Sequence, residues 1–276
     1  MEEYLYKYMS FEKFIDLIEN KRLYLTHLPL WDDVYEGVAA NKFIEYLDNK
    51  SEQECKNNNI SEEYNKVDKE TNDSIIKKMK NSRYAQSWTN NTLESDAMWR
   101  IYSINKSGVR IKISKEIIKK SILKTMQPLI TVNGQFCTGI PFRPISIIDK
   151  AVNYDWNINF EEYSNKNGSN GIFDIPFEYF KRKEFSHEYE YRFSVCVDID
   201  YLQKKLLTHF DLNYEGATNK IPKVIYYEMK NENIKEVLLD PRASNEFEET
   251  FLKYCENRDF KEKNIEYAKS KLYTLG

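Results

Sequence analysis

The chain of 276 residues is 41% hydrophobic and 14% aromatic, which supplies enough apolar surface for a folded core and excludes disorder throughout. Its 41 lysine and arginine residues nearly balance its 44 aspartate and glutamate residues. The net charge of -3 gives no field strong enough to attract nucleic acid or an anionic membrane, so a charged ligand must be held by local groups.

The sequence shows neither a membrane segment nor a pattern of metal ligands. The opening MEEYLYKYMSFEKF lacks a cationic start followed by an apolar run, and no stretch approaches the ~18 apolar residues of a membrane span. We therefore expect a cytoplasmic protein with no membrane partner. Cys55, Cys137, Cys196 and Cys255 lie far apart, without a neighbouring histidine to complete a ligand set. We predict reduced thiols and no metal.

The first 30 residues have the pattern of a strand, a helix and a second strand. Residues 4–8 alternate tyrosine with other side chains at the two-residue period of a strand. Ser10 can then cap a helix that has one apolar face. A short strand follows over residues 23–26, and Pro29 ends it.

The middle of the chain contains a polar insertion and then regular elements. Residues 48–83 are strongly polar, and two interpretations remain open for them, a solvated helical excursion or a mobile insertion. A strand is predicted over 84–88, a helix over SDAMWRIY with Ser95 as its N-cap, and a half-buried strand over 109–113.

The remaining pattern continues to alternate helices and strands, and no repeat or linker divides it. We predict a single α+β domain over residues 1–276 with a mixed or antiparallel sheet. The further predicted elements are a helix over 117–126, short strands over 129–155, a loop over 164–171, a helix over DIDYLQKKL, strands near 224–227 and 234–239, a helix capped by Ser244 and a last strand over 265–275.

The strongest strand pattern is FSHEYEYRFSVCV, residues 185–197. Apolar and aromatic side chains, with His187 among them as an interior histidine, fall on one predicted face, and Glu188, Glu190 and Arg192 fall on the other. Two carboxylates about 7 Å apart beside a guanidinium can hold a hydroxyl group or stabilise a cationic centre. The alternative is a solvent-facing strand with cross-strand ion pairs. Glu188 and Glu190 are the candidate catalytic residues.

Two further groups of residues are candidates for binding. Lys7 lies between two tyrosines and could bind a phosphate between aromatic walls, although a lysine on an edge strand can instead prevent aggregation. Arg100 could make a forked contact with an anion, and Trp99 and Tyr102 share its helix, where such residues are commonly core anchors. No Gly-rich phosphate loop occurs in the sequence, so a nucleotide would need another binding geometry.

Six segments resemble, in order and spacing, a large bacterial family known as a domain of unknown function. The resemblance extends over most of the chain. The matching segments are LYKYMSFEKFIDLIENKRLYLT, WDDVYEG, AQSW, MWRIYSINKSGVRIKI, FKRKEFSHEYEYRF and IKEVLLDPRAS.

That family's pattern is in turn similar to ADP-ribosyltransferase folds, in which the opening strands contact the nicotinamide nucleotide and a late strand carries a catalytic glutamate. The resemblance implies NAD as substrate, with Tyr24 stacked on nicotinamide and Glu190 as the catalytic carboxylate. It also implies a setting in toxin action or anti-phage defence. The candidate substrate-binding residues are Lys7, Tyr8, Tyr24, Arg100, Tyr102 and Arg192.

Three functional hypotheses follow. The first is an ADP-ribosyltransferase-like or NAD-consuming enzyme that binds a nucleotide-type small molecule and modifies a protein or nucleic-acid acceptor. The second is a non-enzymatic recognition module of a phage-defence system that binds a partner through its tyrosine-rich surface. The third is a metal-dependent nuclease, for which the sequence offers no acidic pair converging with a lysine.

Overall fold

The computed structural model describes residues 2–31, 38–58, 69–71, 74, 77, 80–126, 147–154, 177–196 and 223–274. The described strands are β1 (Tyr4–Met9), β2 (Arg22–His27), β3 (Arg83–Thr89), β4 (Val109–Ser114), β5 (Ile147–Ala151), β6 (Glu190–Cys196), β7 (Val224–Glu228), β8 (Ile234–Leu239) and β9 (Glu266–Lys269). The α-helices with both ends described are α1 (Phe11–Asn20), α2 (Val38–Asn57), α3 (Asp96–Tyr102), α4 (Lys115–Met126) and α5 (Asn245–Asn257). Short 3-10 helices span Leu28–Leu30, Phe177–Tyr179, Lys183–Glu188 and Asn231–Asn233.

The described strands join in one mixed sheet, which confirms the α+β class. Its main path runs β5-β6-β3-β1-β4-β8-β9, and β2 pairs with both β3 and β7. The pairing of β8 with β9 is parallel, and the other described strand pairs are antiparallel. That residues 1–276 form a single domain stays a prediction.

The sheet splits beside β3. Strand β6 pairs along the whole of one edge of β3, so β1 and β2 must share the other edge. Tyr6 of β1 is in register with Thr89 near one end of β3, and Thr26 of β2 is in register with Ala85 toward the other end. Residues 86–88 lie between these contacts and have neither strand as a registered partner. This split is the feature that forms the site described below.

The main core lies on one face of the sheet, where α1 and α5 cover it. Phe14 of α1 is fully buried, and its ring centroid lies 6.4 Å from that of Phe251 in α5. On the same face, the alternation of β3 and β6 brings Trp88 opposite Tyr191. Burying such side chains stabilises the fold by about 1.5–3 kcal/mol each relative to exposure.

Most of the predicted elements are confirmed within a residue or two. The cap predicted for α3 is present, because the Ser95 side chain accepts a hydrogen bond from the Met98 backbone N–H. Ser244 caps α5 in the same way. Ser10 precedes α1 but makes no capping hydrogen bond to its backbone. The last strand is shorter than predicted and covers Glu266–Lys269.

The strand predicted over 185–197 is wrong at its start. Lys183–Glu188 is a 3-10 helix, and Tyr189 follows with a left-handed φ of 46° before β6 begins at Glu190. A single left-handed residue ends the helix without changing the hydropathy pattern, which therefore still resembled a strand. His187 consequently lies on the exposed helix and is not an interior histidine.

The polar insertion predicted over 48–83 is described in part. Its first residues continue α2 to Asn57, residues 69–71 are helical, and Arg83 already belongs to β3. These parts agree with the helical interpretation. The predictions for 129–146, 164–171 and DIDYLQKKL lie outside the described residues.

Candidate functional site

A cavity of about 650 Å³ opens at the split in the sheet. It passes between β1 and β2, and its floor is the stretch of β3 that neither strand covers. The residues that line it are Lys7, Tyr8, Met9, Ser10, Lys13, Asp16, Arg22, Leu23, Tyr24, Thr26, Leu30, Trp31, Ala85, Gln86, Ser87, Ile101, Tyr102, Ile104, Lys181 and Glu190.

Side chains bridge the split where backbone pairing is missing. The Lys7 ammonium donates to the Ser87 carbonyl oxygen at 2.7 Å, and the Gln86 amide donates to the Tyr24 carbonyl oxygen at 2.9 Å. The Gln86 oxygen accepts from the Trp88 indole at 2.9 Å and from the Tyr227 hydroxyl at 2.6 Å. A buried amide with three hydrogen bonds of this kind holds the two halves of the sheet at a defined separation.

Glu190 reaches the cavity from the first position of β6, where it is 4% exposed. Its Oε2 accepts from Arg192 Nη2 at 2.8 Å and from Lys181 Nζ at 3.1 Å. Burial alone would raise the pKa of Glu190, but the charge and hydrogen bonds of Arg192, followed by the charge of Lys181, lower it to about 2. Glu190 is therefore an ionised carboxylate held in a fixed orientation.

Glu188 is close to Glu190 but occupies a different environment. It lies at the end of the 3-10 helix, where its Oε2 accepts from Lys181 at 2.6 Å, and it does not line the cavity. Burial raises the pKa of Glu188, with Lys181 acting in the opposite direction. Lys181 thus forms ion pairs with two carboxylates whose pKa values shift in opposite directions, since that of Glu188 is raised and that of Glu190 is lowered.

The charged face of β6 is buried. The alternative prediction, that this face of the strand is exposed to solvent, is therefore wrong. The segment containing Phe177–Tyr179 covers it, and Glu178 is fully buried. Glu178 accepts from Arg83 Nη1 at 2.7 Å and from the Ser194 hydroxyl at 2.5 Å. Its backbone carbonyl accepts from Arg192 Nη1. Paired acids and bases in this layer offset the cost of burying each other's charge.

Aromatic side chains form the walls on the Glu190 side of the cavity. The Tyr8 ring packs edge-on against Trp99 at 4.8 Å, and its oxygen accepts from the Ser95 backbone N–H. Tyr102 is 41% exposed at the rim, and burial of its hydroxyl, followed by the charge of Glu188, raises its pKa to about 12. These side chains supply flat surfaces on which a ring can stack.

The two arginines predicted to bind substrate do not line the cavity. Arg100 lies on the outer side of α3 and pairs with Asp96 at 2.8 Å in an exposed contact. Arg192 is fully buried behind Glu190, and its guanidinium carbon lies 4.6 Å from the Trp31 ring centroid. Arg192 can therefore act on a ligand only by orienting Glu190.

Lys7 occupies an interior strand of the sheet and not an edge. It pairs through β1 with both β3 and β4, so a role in protecting a sheet edge is ruled out. Burial, followed by the charge of Lys13, lowers the pKa of Lys7 to about 8. Lys7, Tyr8, Tyr24, Tyr102 and Glu190 are the predicted residues that the fold brings together at the cavity.

Several lining residues were missed by sequence reasoning. Lys181 lies in the FKRKEF segment already singled out, but nothing in its spacing shows that it contacts Glu188 and Glu190. Gln86 and Ser87 lie within AQSW, and only the split in the sheet makes them floor residues.

The described residues contain neither a cluster of metal ligands nor a helix able to span a membrane. No group of three or more histidine, cysteine, aspartate or glutamate side chains in those ranges could hold a metal ion. None of the helices that the structure describes combines the length and the apolar character needed to cross a bilayer.

The low pKa of Glu190 predicts a specific loss of stability in acid. Because the folded-state value of about 2 lies below the ordinary 4.5, the contribution is present above pH 4.5 and is lost as pH falls toward 2. Glu190→Gln removes this contribution, of about 3 kcal/mol at most. We expect the gap in unfolding free energy between wild type and Glu190→Gln to shrink as pH falls through this window.

Chemical denaturation at a series of pH values measures that gap. Glu184→Gln, at an exposed position of the preceding 3-10 helix, is the matched control and should follow the wild-type curve. A gap between wild type and Glu190→Gln that stays constant from neutral pH into acid would contradict the assigned pKa.

Comparison with known proteins supports the resemblance of this chain to an uncharacterised family. Searches of curated proteins and of solved structures gave no match. Residues 98–193, which run from α3 into β6 and include Glu190 and Arg192, match the family described as "Protein of unknown function (DUF2971)".

Proposed function

We propose that the cavity binds NAD and that the protein releases nicotinamide by transferring or hydrolysing the ADP-ribose group. The observation that carries this proposal is the position of Glu190, which lines the same cavity as Tyr24 and Lys7 although these residues are remote in sequence. A volume of about 650 Å³ is within the range of small-molecule sites.

The chemistry requires a carboxylate that stays charged beside the ribose. Breaking the bond between the anomeric carbon and the nicotinamide nitrogen leaves the electron pair on nicotinamide and positive charge on the sugar. Ionised Glu190 would offset that charge and accept a hydrogen bond from a ribose hydroxyl. Water or an acceptor nucleophile then bonds to the anomeric carbon and loses its proton.

Neighbouring residues support this role for Glu190. Arg192 and Lys181 hold its carboxylate in place, so little reorganisation is needed when charge develops. Tyr24 and Tyr102 offer stacking surfaces for a nicotinamide or adenine ring. No metal is required by this scheme.

Incubation of the purified protein with NAD tests the proposal. Free nicotinamide should accumulate, or label from NAD carrying a marked adenine should appear on protein or nucleic acid when a cell extract is added. The second arm identifies the acceptor and bears on the proposed setting in toxin action or anti-phage defence. An absence of both nicotinamide release and labelling would reject the proposal.

A second candidate is a non-enzymatic recognition module that binds a partner. It is favoured by apolar side chains on the cavity rim, where Leu30, Ile101 and Ile104 are 45%, 47% and 83% exposed. Exposed apolar residues grouped in this way are typical of contact surfaces. Stable complex formation that Ile104→Ser abolishes, in a protein inert toward NAD, would favour this candidate.

A further inference from the structure

Two lysines at the α1 end of the cavity differ from its other charged side chains, because neither forms an ion pair among the described residues. Lys7 alternates with Tyr6 and Tyr8, so it projects from the face of the sheet that α1 covers. Lys13 lies in the first turns of α1 and lines the same end. Among the described residues, neither lysine has a carboxylate within ion-pairing distance. The Lys7 ammonium is held instead by the Ser87 carbonyl oxygen and lies 5.6 Å from the Trp88 ring centroid.

The other cations of the cavity are neutralised. Arg22 pairs with Asp16 at 2.8 Å, and Lys181 pairs with Glu190 at 3.1 Å and with a second glutamate. Glu12, in the first turn of α1, is exposed, and its carboxylate bonds to its own backbone N–H and to the Ser10 hydroxyl. The positive charge that remains in the cavity is therefore concentrated at Lys7 and Lys13.

Two ammonium groups that share a partly enclosed space repel one another. The pKa of Lys7 is lowered to about 8 by burial and then by Lys13, although Glu190 acts to raise it. An anion between the two lysines would relieve this repulsion and form charge-assisted hydrogen bonds to both. Lysine is a common phosphate ligand because its compact charge can meet any oxygen of the group.

We infer that the α1 end of the cavity is an anion subsite in which Lys7 and Lys13 together hold a phosphate or pyrophosphate group. Lys7 projects from the same face of the sheet as the core residues Leu5 and Met9, whereas Glu190 projects from the opposite face to Tyr191, so a ligand that passes through the split has its anionic part on the α1 face and its sugar and ring on the Glu190 face. The inference rests on the proposed function only in naming a nucleotide as the carrier of the phosphate.

Calorimetric titration of the full chain with inorganic pyrophosphate tests the subsite without any glycosidic chemistry. We expect saturable binding that Lys7→Gln and Lys13→Gln each weaken by roughly 10-fold, as for loss of one charge-assisted hydrogen bond. Lys13 is exposed on α1, so its substitution should leave folding intact. Lys253→Gln, at an exposed position of α5, removes the same charge away from the cavity and should bind as wild type does.

A pH series separates this subsite from general attraction to positive charge. Binding to wild type should weaken as pH rises through about 8, where Lys7 loses its proton, even though pyrophosphate becomes more negative. Lys7→Gln should lack this decline. No saturable binding by wild type, or equal binding by Lys13→Gln and Lys253→Gln, would overturn the inference.

The two proposals can fail separately. Pyrophosphate binding that depends on Lys13, in a protein that never releases nicotinamide from NAD, would support the anion subsite and reject glycosyl transfer. Nicotinamide release from NAD by a protein that shows no saturable pyrophosphate binding would support glycosyl transfer and reject the subsite.

Discussion

Replacing Glu190 by glutamine should lower nicotinamide release from NAD by at least about 100-fold, the loss typical of removing one electrostatic contact to a transition state. Glutamine keeps the size of the side chain but carries no charge to offset the developing positive charge on the ribose. Release of nicotinamide is measured in parallel on wild type and variant, with the folded fraction of each determined by circular dichroism.

Two matched variants separate a catalytic role from a structural one. Glu178→Gln changes a buried, ion-paired glutamate in the adjacent layer that does not line the cavity, and Glu188→Gln changes the other carboxylate bound to Lys181. Per folded molecule, both should stay within several-fold of wild type. A loss per folded molecule in Glu178→Gln equal to that in Glu190→Gln would show that any change to the buried charge network lowers activity, and would contradict a specific catalytic role for Glu190.

Replacing Arg192 by methionine should destabilise the fold by about 3–5 kcal/mol, because it leaves Glu190 as a buried charge without its main partner. It also removes the donor to the Glu178 carbonyl oxygen. Denaturant unfolding measures this change. In the double variant Arg192→Met with Glu190→Gln, part of the lost stability should return, since the unpaired charge is gone.

Arg100→Met is the control for the buried arginine. Arg100 also pairs with a carboxylate, that of Asp96, but both side chains are about half exposed or more, at 63% and 47%. Exposed pairs of this kind contribute about 0–1 kcal/mol, so this variant should unfold almost as wild type does. Equal losses in Arg100→Met and Arg192→Met would contradict the buried network.

Local patterns in the sequence predict the elements well where the cause is local. The alternation in 109–113 and the serine before the α3 segment each act over a few residues, and both β4 and the Ser95 cap are present. The turn at Tyr189 depends on one backbone angle, which hydropathy does not record. Hydropathy therefore predicts a strand for the segment before Tyr189, and that segment is a 3-10 helix.

The candidate site could be predicted only in part, because long-range pairing creates it. The sequence pointed to Glu190 and to the tyrosines of β1 and β2, but not to the split that brings them to one cavity. Arg100 does not line the cavity, because Met98 and Trp99 occupy the inner side of the short α3 helix and Arg100 therefore faces outward. Lys13 and Lys181 were missed because their roles depend on residues distant in sequence. Lys181 pairs with two glutamates, whereas Lys13 has no carboxylate within ion-pairing distance among the described residues.

A structure of the Glu190→Gln variant with NAD is the measurement that bears most directly on the role of the cavity. We predict that the dinucleotide lies across the split between β1 and β2, with its pyrophosphate at Lys7 and Lys13 and its nicotinamide ribose beside residue 190. NAD bound elsewhere on the protein, or a cavity that stays empty at saturating NAD, would contradict the account.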